Sequence, residues 1–437
     1  TAAGALAAFL NLPAPLSANA KLDWRDLRHF GLAGLTLRSP ALAATGALDL
    51  NMTGRPSLSG QVQVTKLDMD ALRPIAPATS PPTSATSPPA NTPAPKAGDG
   101  RLIPDITLPV AALRVADLDL RLSVAELSTG GLRHIALETP IQLKDGKLAL
   151  APFAIRLPAG RLAGQFHFDA AAQPAALQLA FRSEGPGLDL AALAEAWPRL
   201  GARGRAEIAA DLRGAGAASR AMAASLNGTA GLAIANGRLE EGAALQALAE
   251  VLALVSPGSQ ALGAIDLRCF ALALGAEQGM ARSRALLLDS TLGQISGQTS
   301  VNLADESLAG RLFLDLTLRG FRLRAPMGIG GSLAKPRFGV AADAALGQAA
   351  AGLLAEELAR RPGLEGLGGL LGGGATRALP DCDAALRMAR FGAEGPTPAP
   401  RSTPEATPRE IPPANAPPAL PDVLRGLGGI LGGGRRP

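Results

Sequence analysis

A chain of 437 residues has room for two to four domains or for one elongated, repetitive one. Aromatic residues make up only 3% and tyrosine is absent, so core volume must come from Leu, Ala and Val, which suits a long aliphatic sheet better than a compact enzyme. The formal charge of +5 and pI near 9.7 are not gathered into a Lys/Arg block and only 18% of residues are charged, which argues against nucleic acid as a partner.

The first residues, from Thr1 through Ala, Leu and Phe to Pro13 and Pro15, carry no basic flank, and the chain is read as a fragment whose anchoring segment lies upstream. No run of about 18 apolar residues is present, so no spanning helix is predicted. Cys269 and Cys382 are far apart and lack metal-ligand spacing. An exported protein can join them, but two buried thiols are the expectation.

In chain order, residues 1–73 read as an N-terminal β segment. Within Lys21 to Asp70, Leu35 and Leu37, Leu48 and Leu50, and Leu58, Val62 and Val64 alternate with polar neighbours, and Gly54, Arg55 and Pro56 make a turn. Residues 74–100 are Pro, Ala, Ser and Thr, a solvated linker or loop. Residues 101–225 form a middle β region. Leu118, Leu120, Leu122 and Val124 alternate there with Asp117, Asp119, Arg121 and Ser123, while Lys144 to Lys147 is a polar hairpin turn. Leu162, Gly164, Phe166 and Phe168 face opposite to Arg161, Gln165, His167 and Asp169. Leu188 to Trp197 predicts a helix ended by Pro198, Arg205 to Leu212 a strand, and Gly216 to Leu226 a second helix.

Residues 226–341 are the most regular stretch. Ile265, Leu267, Cys269 and Ala271 share one parity before Leu272 and Leu274 reverse the phase. Leu308, Gly310, Leu312, Leu314, Leu316 and Leu318 share one parity against Ala309, Arg311, Phe313, Asp315, Thr317 and Arg319. A helix interrupts the strands at Glu240 to Val255, with Leu245, Leu248, Leu252 and Val255 at helical spacing. Residues 342–361 predict an amphipathic helix, and 362–437 a Gly/Pro-rich flexible tail with a short helix. That tail repeats GLGGLLGGG at Gly366 to Gly374 as GLGGILGGG at Gly426 to Gly434. Leu371 and Leu431 replace the third glycine of a phosphate-binding loop and no strand precedes either copy, which excludes nucleotide binding.

Catalytic residues are sparse. His29, His134 and His167 fall in separate strands, away from cysteine and without metal spacing. Ser296 in GQISGQ lacks the spacing of a nucleophile elbow. Asp117 and Asp119 share a strand face, as a carboxylate pair for acid–base work would, but the solvated face of an amphipathic strand accounts for them. Trp24 and Trp197 are isolated packing residues. Neither cofactor nor metal is expected.

The succession SLNGTAGLAIANGRLEEGAALQALAEVL, IDLRCFALALGAEQGMARSRALLLDST, ISGQTSVNLADESLAGRLFLDL and APMGIGGSLAKPRFGVAAD resembles the C-terminal region of the AsmA family. Gly297, Asn302, Leu303 and Glu306 match one strand start of that family, and Pro326, Ile329, Gly331, Ser332, Leu333 and Pro336 its final turn. GALDLNMTGRPSLSGQVQVTKLDMDAL and LPVAALRVADLDLRLSVAEL are similar to the family's middle portion, and DCDAALRMARFG to tails of some members, so the resemblance spans Ala41 to Gly392. It implies a Gram-negative envelope protein, anchored in the inner membrane by an N-terminal helix and extending into the periplasm. It also implies a curved β-groove that shields acyl chains of phospholipid from water.

The expected fold is therefore mainly β: an elongated antiparallel sheet array, groove-like or solenoid-like, with a few short helices. Two functions follow from it. In one, the strands bind or pass phospholipid between inner and outer membranes, with Leu118, Leu120, Leu122, Phe166, Phe168, Leu312, Leu314, Leu316 and Leu318 lining the groove. In the other, the apolar faces close on each other and the protein is a non-enzymatic scaffold for outer-membrane assembly partners. Alternation alone is common to both.

Overall fold

The computed structural model describes residues 17–26, 28–71, 100–242, 245–246, 248–249, 263–318, 321–340 and 381–400. The chain divides into two compact units, Thr1–Ala399 and Pro400–Pro437, and the fold below is that of the first. The helix expected at 342–361, both glycine-rich repeats and nearly all of the 74–100 segment fall outside the described residues.

Among the described residues, one sheet of 18 strands contains almost all of the regular structure. Its first strands are β1 Ser17–Asp26, β2 His29–Arg38, β3 Leu42–Asn51 and β4 Ser57–Asp68. Next come β5 Asp117–Thr129, β6 Leu132–Lys144, β7 Lys147–Leu157, β8 Gly160–Asp169, β9 Ala176–Glu184 and the two-residue β10 Leu188–Asp189. The remainder are β11 Ala202–Ala215, β12 Asn227–Leu239, β13 Ile265–Glu277, β14 Met280–Ser290, β15 Gly293–Asn302, β16 Ser307–Leu318, β17 Phe321–Ser332 and β18 Lys335–Val340.

Each strand pairs antiparallel with the next in sequence, except at two places. β4 and β5 run parallel, Ser57 beside Asp117, and β9 and β10 share one edge of β11. A parallel pair needs a crossover, which is what the break between Asp68 and Asp117 supplies. The tight β6–β7 turn follows from Asp145 and Gly146, both at positive φ, as a two-residue hairpin requires. Among the described residues β1 and β18 each have one neighbour, so the sheet is open. At about 4.8 Å per strand it extends roughly 75 Å across its strands.

Among the described residues the short helices include α1 Val110–Leu113, α2 Leu190–Ala196, α3 Ser219–Ala224 and α4 Cys382–Ala389. The helix expected from Leu188 starts later, because Leu188 and Asp189 pair with β11 and the Asp189 side chain then accepts from Ala191 N as the helix cap. α3 is the core of the helix expected at Gly216 to Leu226. Within Glu240 to Val255 the described residues 245–246 and 248–249 are helical.

Two features depart from the sequence reading. The change of face in β13 comes before Cys269, not after Ala271. A bulge at Arg268 against β14, matched by Asn236 at φ 55° in β12, puts Ile265 and Leu267 on one side and Cys269, Ala271 and Ala273 on the other. The two cysteines are also not free thiols: Cys269 and Cys382 are joined in a disulfide. Their separation of 113 residues concealed this, since a contact between a strand and a distant helix has no local signature.

That disulfide fixes α4 on the sheet face opposite Leu118, over a bed of small residues. Ala233, Ala235, Ala271 and Ala273 lie beneath Ala385, Leu386 and Ala389, and a Cβ on Gly231 would run into the Ala389 carbonyl. Arg390, itself buried, pairs with Glu207 at 2.5 Å, and Asn236 holds the following segment by donating to Thr397 O and accepting from Ala399 N.

Candidate functional site

Residues opposite one another in a sheet share a face, so the register can be followed strand by strand. Leu118 faces Leu143, which faces Leu148, then Phe168, Leu177 and Gly214. Phe166 faces Leu179, then Leu212. Ile234 faces Phe270, then Leu288, Ile295, Leu314 and Ala325. In the other direction Leu118 neighbours Leu58, then Leu50, Phe30 and Trp24. One apolar face, called the front, therefore runs through the whole sheet from Trp24 to Met327, and Leu118, Leu120, Leu122, Phe166, Phe168, Leu312, Leu314 and Leu316 all lie on it. Leu318 ends β16 opposite Phe321, and its side chain is outside the described ones.

This face is covered unevenly. At one end of the strands α1 and α3 bury Phe168, with Leu108, Val110, Leu113 and Met222 around it. At the other, Leu190 of α2 and the turn carrying Leu245 and Leu248 close over β11 to β17. There Leu312, Leu314 and Leu316 are 8%, 2% and 1% exposed, so they sit in a core filled by the chain's own side chains. Between the covers, Leu118, Leu120, Leu122, Leu150, Phe166, Leu179, Phe181, Leu232 and Leu272 are only half-buried. Towards β1 the face is bare: Leu22 is 59% and Trp24 57% exposed, with Trp24 edge-on to Phe30 at 4.8 Å. Trp24 is thus part of the apolar face, and its pairing with Phe30 was not legible because the β1–β2 register contains two irregularities.

A segment entering β5 borders the face. Leu102 N and Ile103 N donate to the two carboxylate oxygens of Glu306 at 2.7 and 2.8 Å, Arg101 donates to Ala304 O, and Leu108 N donates to Ala217 O. Glu306 is 2% exposed, and among the described residues its carboxylate is satisfied through these contacts with the segment. Replacing Glu306 with alanine is expected to strand two amide donors and cost about 2 kcal/mol. Amide hydrogen exchange at residues 101–109 should rise while that of β8 and β9 stays unchanged.

The reverse face, the back, is mostly polar outside the seat of α4, with Phe313 on β16 an exception. It carries ion pairs such as Arg156–Glu138 and Arg161–Glu184. Asp117 and Asp119 lie here too, and Asp117 is committed to Arg55 at 2.7 Å and to Asp145 N at 3.0 Å, a structural role. His29 pairs with Asp26 and His134 with Glu126, and among the described residues no group of three or more His, Cys, Asp or Glu could hold a metal.

On β16 the hydrogen bond from Arg322, with Arg324 nearby, holds the Asp315 carboxyl below its ordinary value of 3.8 despite partial desolvation. A depressed folded-state value means the pair stabilises fully above the unfolded-state value and loses that contribution as pH falls through the folded one. The stability gap between the parent and Asp315→Asn, read from urea midpoints, is therefore expected at neutral pH and should close on acidification below about 3.8.

An open sheet with a long apolar face, buried in part and exposed in part, defines an extended β-scaffold. The AsmA family model matches residues 29–286, more than half of the chain, and the chain belongs to the AsmA family. No curated protein and no solved structure matches it. Family membership makes it an envelope-associated protein. No helix among the described residues is long and apolar enough to cross a membrane.

Proposed function

We propose that this protein carries phospholipid acyl chains along the front face, in the periplasm, between the inner and outer membranes. The observation behind this reading is the stretch from β5 to β9 on which Leu118, Leu120, Leu122 and Phe166 stay half-buried, whereas Leu312, Leu314 and Leu316 are fully buried. Such a surface gains from a lipid tail, since each methylene removed from water is worth about 0.8 kcal/mol. The Cys269–Cys382 disulfide fits an oxidising compartment. An upstream segment would anchor the chain in the inner membrane, as the family resemblance implies, and the role needs no catalysis.

Native mass spectrometry with lipid extraction on the full chain, purified from bacterial membranes in mild detergent, tests the reading. Phospholipid in several copies per chain is expected, with most of it lost in Leu120→Asp while the circular dichroism of the sheet persists. A folded protein free of lipid would instead favour a scaffold for outer-membrane assembly. One observation supports that second reading: the closed core around Leu314 and Leu316 shows that part of the apolar face already serves the fold alone.

A further inference from the structure

The formal charge of the chain is +5, and the last three strands hold most of it. β16, β17 and β18 contain five cations, Arg311, Arg322, Arg324, Lys335 and Arg337, against one carboxylate, Asp315, a net of +4. In sequence these cations are scattered among apolar residues. The register gathers them: Arg311 lies opposite Gly328, Asp315 opposite Arg324, Thr317 opposite Arg322, Gly330 opposite Arg337 and Ser332 opposite Lys335, all on the back. All five are exposed.

Asp315 fixes the fork of Arg322 with two hydrogen bonds of 2.7 and 2.8 Å and draws in Arg324 at 3.3 Å. Arg311, Lys335 and Arg337 have no ion-pair partner among the described residues. Among these cations stands Phe313, 51% exposed and opposite Pro326, the one large apolar side chain bared on this part of the back among the described residues. On the adjoining β15 the back-facing residues are Gln294, Ser296, Gln298, Ser300 and Asn302, which are uncharged.

We infer that the back of β16–β18 is a docking surface for an anionic lipid bilayer, distinct from the apolar front. Four of its five cations are arginines, whose planar forks match phosphate oxygens in pairs. Each cation held near an anionic membrane adds attraction that salt screens, and an aromatic ring standing clear of the sheet reaches the headgroup boundary. This surface supplies no apolar floor, so it holds the protein against a membrane rather than taking up single lipids.

The test uses the full chain in flotation with vesicles of phosphatidylcholine alone or with about one-third phosphatidylglycerol. Binding is expected only with phosphatidylglycerol, and is expected to vanish between about 0.05 and 0.5 M salt. Arg311→Glu/Arg337→Glu should weaken it at least tenfold, and Arg311→Gln/Arg337→Gln severalfold. Phe313→Ala should weaken it without altering its salt dependence. Arg121→Glu/Arg182→Glu, on the back of β5 and β9, should leave it intact.

Equal binding to both vesicles, equal loss in the two reversed pairs at unchanged melting temperature, or capture of polyglutamate without capture of vesicles would each overturn the assignment. Leu120→Asp separates this inference from the groove. It should still float with anionic vesicles, even if no lipid ever co-purifies with the parent protein.

Discussion

Replacing Leu316 with aspartate is expected to unfold the C-terminal half of the sheet. Leu316 is 1% exposed in the core that also holds Leu239, Leu248, Leu267, Leu314 and Met327. The substitution removes a packed side chain and leaves a carboxylate with no partner there, a combined cost of at least about 4 kcal/mol. The contrast with Leu120→Asp carries the information. Both residues belong to one apolar face, but Leu120 is half-buried and its carboxylate would keep access to water. Urea denaturation followed by circular dichroism should give a large midpoint shift for Leu316→Asp and a small one for Leu120→Asp. Equal shifts would mean the face between β5 and β9 is closed core like the rest.

Loss of the disulfide is the second large effect. Cys382→Ser opens a loop of 113 residues, for which chain entropy predicts about 4 to 5 kcal/mol of destabilisation. The consequence is local before it is global. α4 has eight residues, too few to persist without its seat, so it should leave β12–β14 and uncover the alanine bed. Amide exchange should therefore speed up first at residues 382–399 and then in β12 and β13. The Arg390–Glu207 pair and the Asn236 contacts would retain the segment weakly. Cys269→Ser should behave alike, and a double variant should add little, since either single change already removes the bond.

The candidate groove was legible only in part. The residues Leu118, Leu120, Leu122, Phe166 and Phe168 stand on the face their alternation assigns, because parity within a strand is a local property with period two. Alternation does not reveal that Leu312, Leu314 and Leu316 are fully buried while Leu118, Leu120 and Leu122 are half-buried. That burial comes from Leu190 and from Leu245 and Leu248, which are distant in sequence from the residues they cover. Glu306 matched a family motif without a reason, and the reason is the segment at Leu102 and Ile103, some 200 residues earlier.

The sequence by itself determined a mainly β chain, the strands and their apolar parities, the short helices after Leu188 and Gly216, and the compositional break that separates β4 from β5. These follow from neighbour-scale physics: side-chain alternation, glycine and proline punctuation, and capping. Tertiary structure alone decided the parallel β4–β5 pairing, the bulge that turns β13 over before Cys269, the disulfide that seats α4, and the gathering of scattered arginines on one patch of the back. Each depends on register or on contacts between remote segments, and a one-residue bulge is enough to exchange the two faces of a strand.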